Sequence, residues 1–223
     1  MDTSTRALEL VRSLRERERF NRIDSYDPYP YQRKFHKTGS EANQRLLMAA
    51  NRIGKSFSGA SEMSYHLTGL YPDWWEGRRF TQPITAWAGG VSNETTRDIV
   101  QYELLGSPDD PAAFGSGTVP RNKIIKTERK PGVPNAKSVA LIQHVTGGNS
   151  SLFFKAYEMG VDKWQGRSVD CIWLDEEPSR ELYSQAVTRT LDRKGMVYMT
   201  FTPESGMTET VASFMNNLQH GQS

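Results

Sequence analysis

Residues 45–56, RLLMAANRIGKS, constrain this chain more than any other stretch. Arg45–Ala50 is apolar and reads as a short buried strand. It breaks into a turn, and a helix follows from about Gly54 to Leu67. A strand that feeds a turn and then a helix belongs in a layered arrangement, with the helix folded back over a sheet. The rest of the chain repeats the alternation. Pro83–Gly89 is a second strand, and Asn93 is expected to cap a helix running to about Leu104. Val139–Val145 and Leu152–Tyr157 are strand-like. Val169–Leu174, VDCIWL, is nearly continuous in apolar residues, as a strand buried on both faces should be. A helix over 179–192, a strand at Met196–Thr200 and a helix at Thr208–Leu218 complete the reading. The expected class is α/β, with a central, mostly parallel sheet flanked by helices.

Composition narrows the chemistry. At 223 residues the chain is one large domain or at most two small ones. A single cysteine, Cys171, excludes an internal disulfide framework and a multi-cysteine zinc site, and it reads as an inert core thiol. Four scattered histidines argue against a histidine-based metal site. No run approaches the ~18 apolar residues of a membrane span. The start, MDTSTR, leads into no signal-peptide core. A net charge of +2 permits contact with nucleic acid without demanding it.

Three segments carry two readings each. Residues 6–20 have helical spacing at Ala7, Leu10, Val11 and Leu14 amid arginine and glutamate. That helix either docks by a narrow apolar stripe or forms an arm that grips a partner or a DNA backbone. Residues 26–35, YDPYPYQRKF, read as extended. Between Gly106 and Lys137, five prolines and the basic residues Lys123, Lys126, Arg129, Lys130 and Lys137 read as a long surface loop, solvated or facing DNA or another subunit.

Two motifs carry chemistry. Ala49-Ala50-Asn51-Arg52-Ile53-Gly54-Lys55-Ser56 matches the P-loop pattern except that Ala49 replaces the first glycine. In such a loop, backbone N–H groups at a helix start cradle phosphates. Lys55 supplies a point charge to the β/γ-phosphates, and Ser56 offers a hydroxyl to Mg²⁺. Arg52 either reaches the γ-phosphate or pairs structurally with an acid. The second motif is Cys171-Ile172-Trp173-Leu174-Asp175-Glu176, an apolar strand ending in two carboxylates, the Walker B pattern. Asp175 is the candidate for holding Mg²⁺ and Glu176 for positioning the attacking water, with Glu177 as rival base. The two motifs in this order point to ATP hydrolysis, with Lys55, Arg52 and Glu176 as the catalytic candidates.

With YQRKF, MAANRIGKSFSGASEMSYHLTGLYPDWW, KWQGRSVDCIWLDEEP and MTFTPESGM, the chain resembles the ATPase half of the large terminase subunit of tailed double-stranded DNA phages. The similarity is greatest to the headful-packaging branch and runs from about residue 26 to 218. The resemblance implies a RecA-like P-loop fold of the additional-strand class. It also implies an adenine-reading role for Gln32 and a coupling role for Thr200 and Thr202, which would sense the γ-phosphate. An arginine finger would come from a neighbouring subunit, with Arg167 the first candidate and Arg78, Arg79, Arg97 and Arg121 the others. In such proteins the P-loop arginine commonly stands one place earlier than Arg52 does here.

The implied partners are double-stranded DNA, a portal protein, a small terminase subunit and further copies of the chain in a ring, a pentamer in this family. The implied setting is the host cytoplasm, transiently at the procapsid portal, with no membrane and no place in the mature virion. The expected organisation is an N-terminal helical arm over 1–25 and a P-loop ATPase domain over 26–223. Large terminases resemble a two-part chain with a following nuclease, so a truncated chain without nuclease activity is expected. The rival readings are a helicase-type DNA translocase of another P-loop family and a non-hydrolysing, nucleotide-gated assembly module. A kinase fits least, because no acceptor-binding segment is apparent.

Overall fold

Two fully buried strands, β6 (Cys171–Asp175) and β7 (Met196–Phe201), lie side by side in parallel near the centre of the sheet. Their continuous apolar sequences suit a position covered on both faces. The computed structural model describes residues 3–50 and 52–203. Around the central pair stand β1 (Gln44–Met48), β2 (Thr85–Gly90), β3 (Ile124–Arg129), β4 (Lys137–Gln143) and β5 (Asn149–Ala156). The seven strands run in the order β1-β7-β6-β2-β5-β4-β3. The first five are mutually parallel, and β4 and β3 add an antiparallel hairpin. Register aligns Met48 with Phe201 and Asp175 with Thr200, so β1, β7 and β6 end together at one edge.

Helix α3 (Lys55–Thr68) covers one face. Its Ala60, Met63 and Leu67 pack with Trp173, Tyr198, Ala86 and Ala88. Helix α6 (Arg180–Leu191) covers the other, where Leu182 and Ala186 meet Ile172, Leu174, Val197 and Met199. Gly59 on α3 is required by this packing, since a Cβ there would lie 2.6 Å from the Trp173 indole. Helix α3 is buried almost all round, and it carries a charge into the interior. Glu62, fully buried, pairs with the Arg45 guanidinium and lies 2.7 Å from His36 Nδ1 and 3.2 Å from His66 Nε2. A charge this deep persists only when paired and hydrogen-bonded. Arg45 holds the Glu62 carboxyl well below the usual carboxylate range, with both histidines adding to the effect against the burial that opposes it.

Several expectations are corrected. Residues 30–38 form helix α2 (Pro30–Thr38) rather than an extended stretch, because Pro30 stands at the first helical position, where its missing N–H is not needed. The helical stretch after β2 is capped by Ser92, not Asn93. The Ser92 hydroxyl accepts from the Thr95 N–H at 3.1 Å, while Asn93 is drawn to Glu158. That stretch comprises α4 (Asn93–Thr95), a π-helical segment (Thr96–Gln101) and α5 (Tyr102–Leu105).

Residues 106–137 are not one surface loop. Thr118 and Val119 are fully buried, with Thr118 bonded to α3 at Ala60 O (3.2 Å), and 124–129 form β3. The prolines fall outside the strands, and the basic residues ride on a hairpin. Helix α1 (Thr3–Phe20) is present, but Leu8, Leu10, Val11 and Leu14 are all exposed, so its apolar stripe is not docked. The expected helix at Thr208–Leu218 lies outside the described residues. Among the described residues no helix is long and apolar enough to cross a membrane.

Candidate functional site

The site forms where β1, β6 and β7 end against the start of α3. From Ala49 the chain leaves β1, its N–H on Phe201 O at 3.4 Å, and turns back through Arg52 and Gly54. Arg52 has φ 62° and Gly54 φ 80°, both left-handed. Glycine tolerates this conformation freely, whereas the arginine costs about 1–2 kcal/mol. Gly54 provides no capping side chain, so the first N–H groups of α3 are left for another acceptor. Lys55 is buried, and its ammonium donates to Ala50 O at 2.7 Å, across the mouth of the loop. Asn51 lies outside the described residues.

The two motifs meet directly. Ser56 Oγ donates to Asp175 Oδ1 at 3.0 Å, and Thr200 Oγ1 donates to the same oxygen at 2.7 Å. The direction of the second bond is forced. An ionised carboxylate can only accept, so the threonine proton turns to Asp175, and the Thr200 oxygen in turn accepts from Trp173 Nε1–H at 2.8 Å. Burial pushes the Asp175 carboxyl up to about 6; the Thr200 and Ser56 donors oppose the shift, while Glu176 and Glu103 add to it. A buried carboxylate beside a hydroxyl is a hard-oxygen donor set that suits Mg²⁺. Among the described residues no group of three or more His, Cys, Asp or Glu side chains is gathered as a metal site.

Glu176 leaves β6 in the left-handed region, with φ 67°. Its N–H donates to Thr200 O at 2.8 Å, and its Oε2 is 3.5 Å from the Thr202 N–H, so β7 holds its backbone and the segment just after β7 approaches its carboxylate. The hydroxyl of the partly buried Tyr157 lies 2.9 Å from the carbonyl oxygens of both Asp175 and Glu176, which share its single proton.

Beside the P-loop a cleft of about 710 Å³ is lined by Tyr26, Tyr29, Tyr31, Gln32, Arg52, Ile53, Gly54 and Phe57, among others. Gln32 lies at its floor, almost fully buried. Its Oε1 accepts from the Tyr29 N–H (2.9 Å), and its Nε2 donates to Gly54 O (3.1 Å), tying α2 to the P-loop. The Tyr31 hydroxyl reaches Ile53 O at 2.6 Å, and its ring stacks on Tyr29. The exposed Arg52 forms one wall.

The candidate finger arginines lie away from this cluster. Arg167 is exposed and sits 5.4 Å over the Phe153 ring on the face of β5. Arg78 bonds Asn43, Arg79 bonds Trp75 O, Arg97 pairs with Asp98, and Arg121 lies over Phe20. The structure thus brings together Ala49, Ala50, Arg52–Ser56, Gln32, Asp175, Glu176, Thr200 and Thr202. Sequence reasoning misses Tyr29, Tyr31 and Phe57 as cleft walls, although the tyrosines stand in YDPYPYQRKF. It also misses Trp173 and Tyr157, whose roles follow only from contacts across the sheet.

A family model described as terminase large subunit, T4-like-virus type, N-terminal, matches residues 46–221. The large terminase subunit of Salmonella phage P22 is 34% identical over 235 residues, covering 96% of this chain and 47% of that protein. The chain therefore spans about half the length of this curated relative. Among solved structures, the large terminase of a thermophilic bacteriophage superposes with a TM-score of 0.58 at 12% identity, covering 87% of this chain and 44% of that one. Another crystal form of the same phage protein, in complex with ADP, gives 0.54 at 10% identity, over 86% and 43%. These likenesses establish a fold shared with those large terminase structures.

Proposed function

The chain belongs to the terminase large-subunit family, and from that premise we propose that it is the ATP-hydrolysing motor of a phage DNA-packaging machine, coupling hydrolysis to movement of double-stranded DNA into a procapsid. The observation that carries the reading is the convergence of Ser56 and Thr200 on one carboxylate oxygen of Asp175, which joins P-loop, Walker B strand and β7 at a single point.

ATP would lie with its phosphates on the N–H groups of Ala49–Ser56 and its base in the tyrosine-lined cleft. There Gln32, already bonded to Gly54, would link recognition of the base to the conformation of the loop. Lys55 would leave Ala50 O for the β- and γ-phosphates. Ser56 and Asp175 would hold Mg²⁺, which when bound neutralises charge on the phosphates. Glu176 would orient the attacking water and accept its proton. Arg52 would approach the γ-phosphate from the same chain, and an arginine such as Arg167 would reach a neighbour's site in a ring of subunits, a pentamer on the procapsid. Thr200 and Thr202, bonded to Asp175 and Glu176, would carry the loss of the γ-phosphate into β7 and beyond. The portal and a small terminase subunit complete the proposed assembly, which would work in the host cytoplasm at the procapsid and leave before the virion matures.

The test is ATP turnover by the chain with Mg²⁺, with and without double-stranded DNA, beside Lys55→Ala. Turnover lost in Lys55→Ala supports the reading. Turnover no higher than that of Lys55→Ala overturns it.

A further inference from the structure

Glu176 is held from both sides of its own peptide. Its N–H is fixed by Thr200 O on β7, and its carbonyl by the Tyr157 hydroxyl, which follows β5 on the other side of β2. The same hydroxyl is 2.9 Å from Asp175 O and 3.4 Å from Gly89 O at the end of β2. One phenol thus gathers the ends of two strands at the turn where β6 passes into the catalytic loop. The ring that delivers it is fixed in turn, packing at 5.9 Å against the fully buried Trp164. Trp164 fits only because β2 ends in glycine, since a Cβ on Gly89 would lie 2.7 Å from the indole. At φ 67° Glu176 occupies a conformation that side chains other than glycine rarely adopt. Such a conformation persists only where its surroundings over-determine it.

We propose that Tyr157 is a positioning residue for hydrolysis. By bonding the Asp175 and Glu176 carbonyls it locks the left-handed turn that sets the Glu176 carboxylate, and so acts on the chemical step without touching the nucleotide. This rests on the reading of Glu176 as the residue that orients the attacking water. Neither the P-loop nor the base cleft includes Tyr157, so the effect belongs in kcat and not in nucleotide binding.

The experiment uses the chain with Tyr157→Phe and, as a second variant, 4-fluorophenylalanine at position 157. The latter fills the volume of the hydroxyl without a donor and so guards against collapse of the packing. Folding is checked by circular dichroism and melting, nucleotide affinity with a fluorescent ATP analogue, and hydrolysis by steady-state and single-turnover rates. Both variants are expected to bind nucleotide within about twofold of the parent and to lose about tenfold in kcat, the weight of one hydrogen bond on a rate. In a Glu176→Gln background, Tyr157→Phe is expected to cost no further rate, because the group it positions is already gone.

A folded variant with the parent kcat, a loss confined to KM, or additive losses in the double variant would each overturn the proposal. Parent turnover that does not exceed that of Lys55→Ala removes the underlying reading of the site, and this inference with it. Parent turnover that does exceed it, with unaffected Tyr157 variants, removes the inference alone.

Discussion

Ser56 and Asp175, separated by 119 residues, are joined by a 3.0 Å hydrogen bond from the serine hydroxyl to Oδ1 of the carboxylate. The same oxygen takes the Thr200 proton, so substitutions at Thr200 should be felt at both motifs. Thr200→Val keeps the shape of the side chain but leaves the Trp173 Nε1–H donor and one acceptor site of Asp175 without a partner. Stability is expected to fall by about 1–3 kcal/mol, the penalty for a buried polar group left unsatisfied, as read from urea unfolding. ATP turnover should fall with it.

Lys55→Ala removes the ammonium that spans the loop to Ala50 O. The loss of charge-assisted hydrogen bonds, worth about 1.5–3 kcal/mol, corresponds to roughly 10–150-fold weaker binding of ATP. Isothermal titration with a non-hydrolysable analogue measures it. Equal affinity would remove Lys55 from the site.

Glu176→Gln preserves size and the left-handed turn while withdrawing the base. Nucleotide binding should persist, with hydrolysis slower by about 10²–10⁴-fold. Glu177→Gln serves as the control, and a larger loss there would move the base by one residue.

Acid should loosen the fold through the buried cluster on α3. Burial holds the His66 pKa below its ordinary 6.5, so folding releases a proton; the stability this residue contributes is present above that pH and declines as pH falls below it. The Glu62 pKa is also depressed, here from 4.5, so its contribution is present above that pH and declines as pH falls toward the folded value. The contribution of this cluster to the urea midpoint should therefore decrease from about pH 6.5 downward, more steeply below 4.5, against the opposite contribution of Asp175, whose raised pKa favours the folded state as pH falls through about 6; the difference between the parent and a His66→Gln variant isolates the histidine's part. Glu62→Gln, which strands Arg45, should cost about 3–5 kcal/mol near neutrality.

The β3–β4 hairpin carries Lys126 and Arg129 on exposed positions. If it meets DNA, it does so through phosphates. Lys126→Ala with Arg129→Ala should weaken binding to all duplex sequences alike and reduce the salt slope by about 0.9 for each lost contact. Fluorescence anisotropy at several salt concentrations tests this, and a sequence-dependent loss would contradict it.

Legibility in the sequence follows burial. VDCIWL and MVYMTF announce β6 and β7 because both faces are covered and nearly every side chain is apolar. The edge strand β3, IIKTER, has one open side and charged residues at alternate positions, so it reads as loop. Pro30 reads as a breaker until it stands at the first turn of a helix. The meeting of Ser56 with Asp175 is legible because the P-loop and the carboxylate strand impose a common edge. Tyr157 and Trp173 carry no local signature, since their partners are backbone carbonyls and a hydroxyl supplied by other strands.

The site edge is carried by β6 and β7, in which no residue is more than 4% exposed. Amides in such strands exchange with deuterium only when the whole domain opens. Leu174 and Met199 should therefore be among the slowest-exchanging positions in the molecule, although each adjoins a group that must respond within every turnover. Motion in the proposed cycle would then be confined to the turns that follow β1 and β6, hinged on a frame expected to open only with global unfolding.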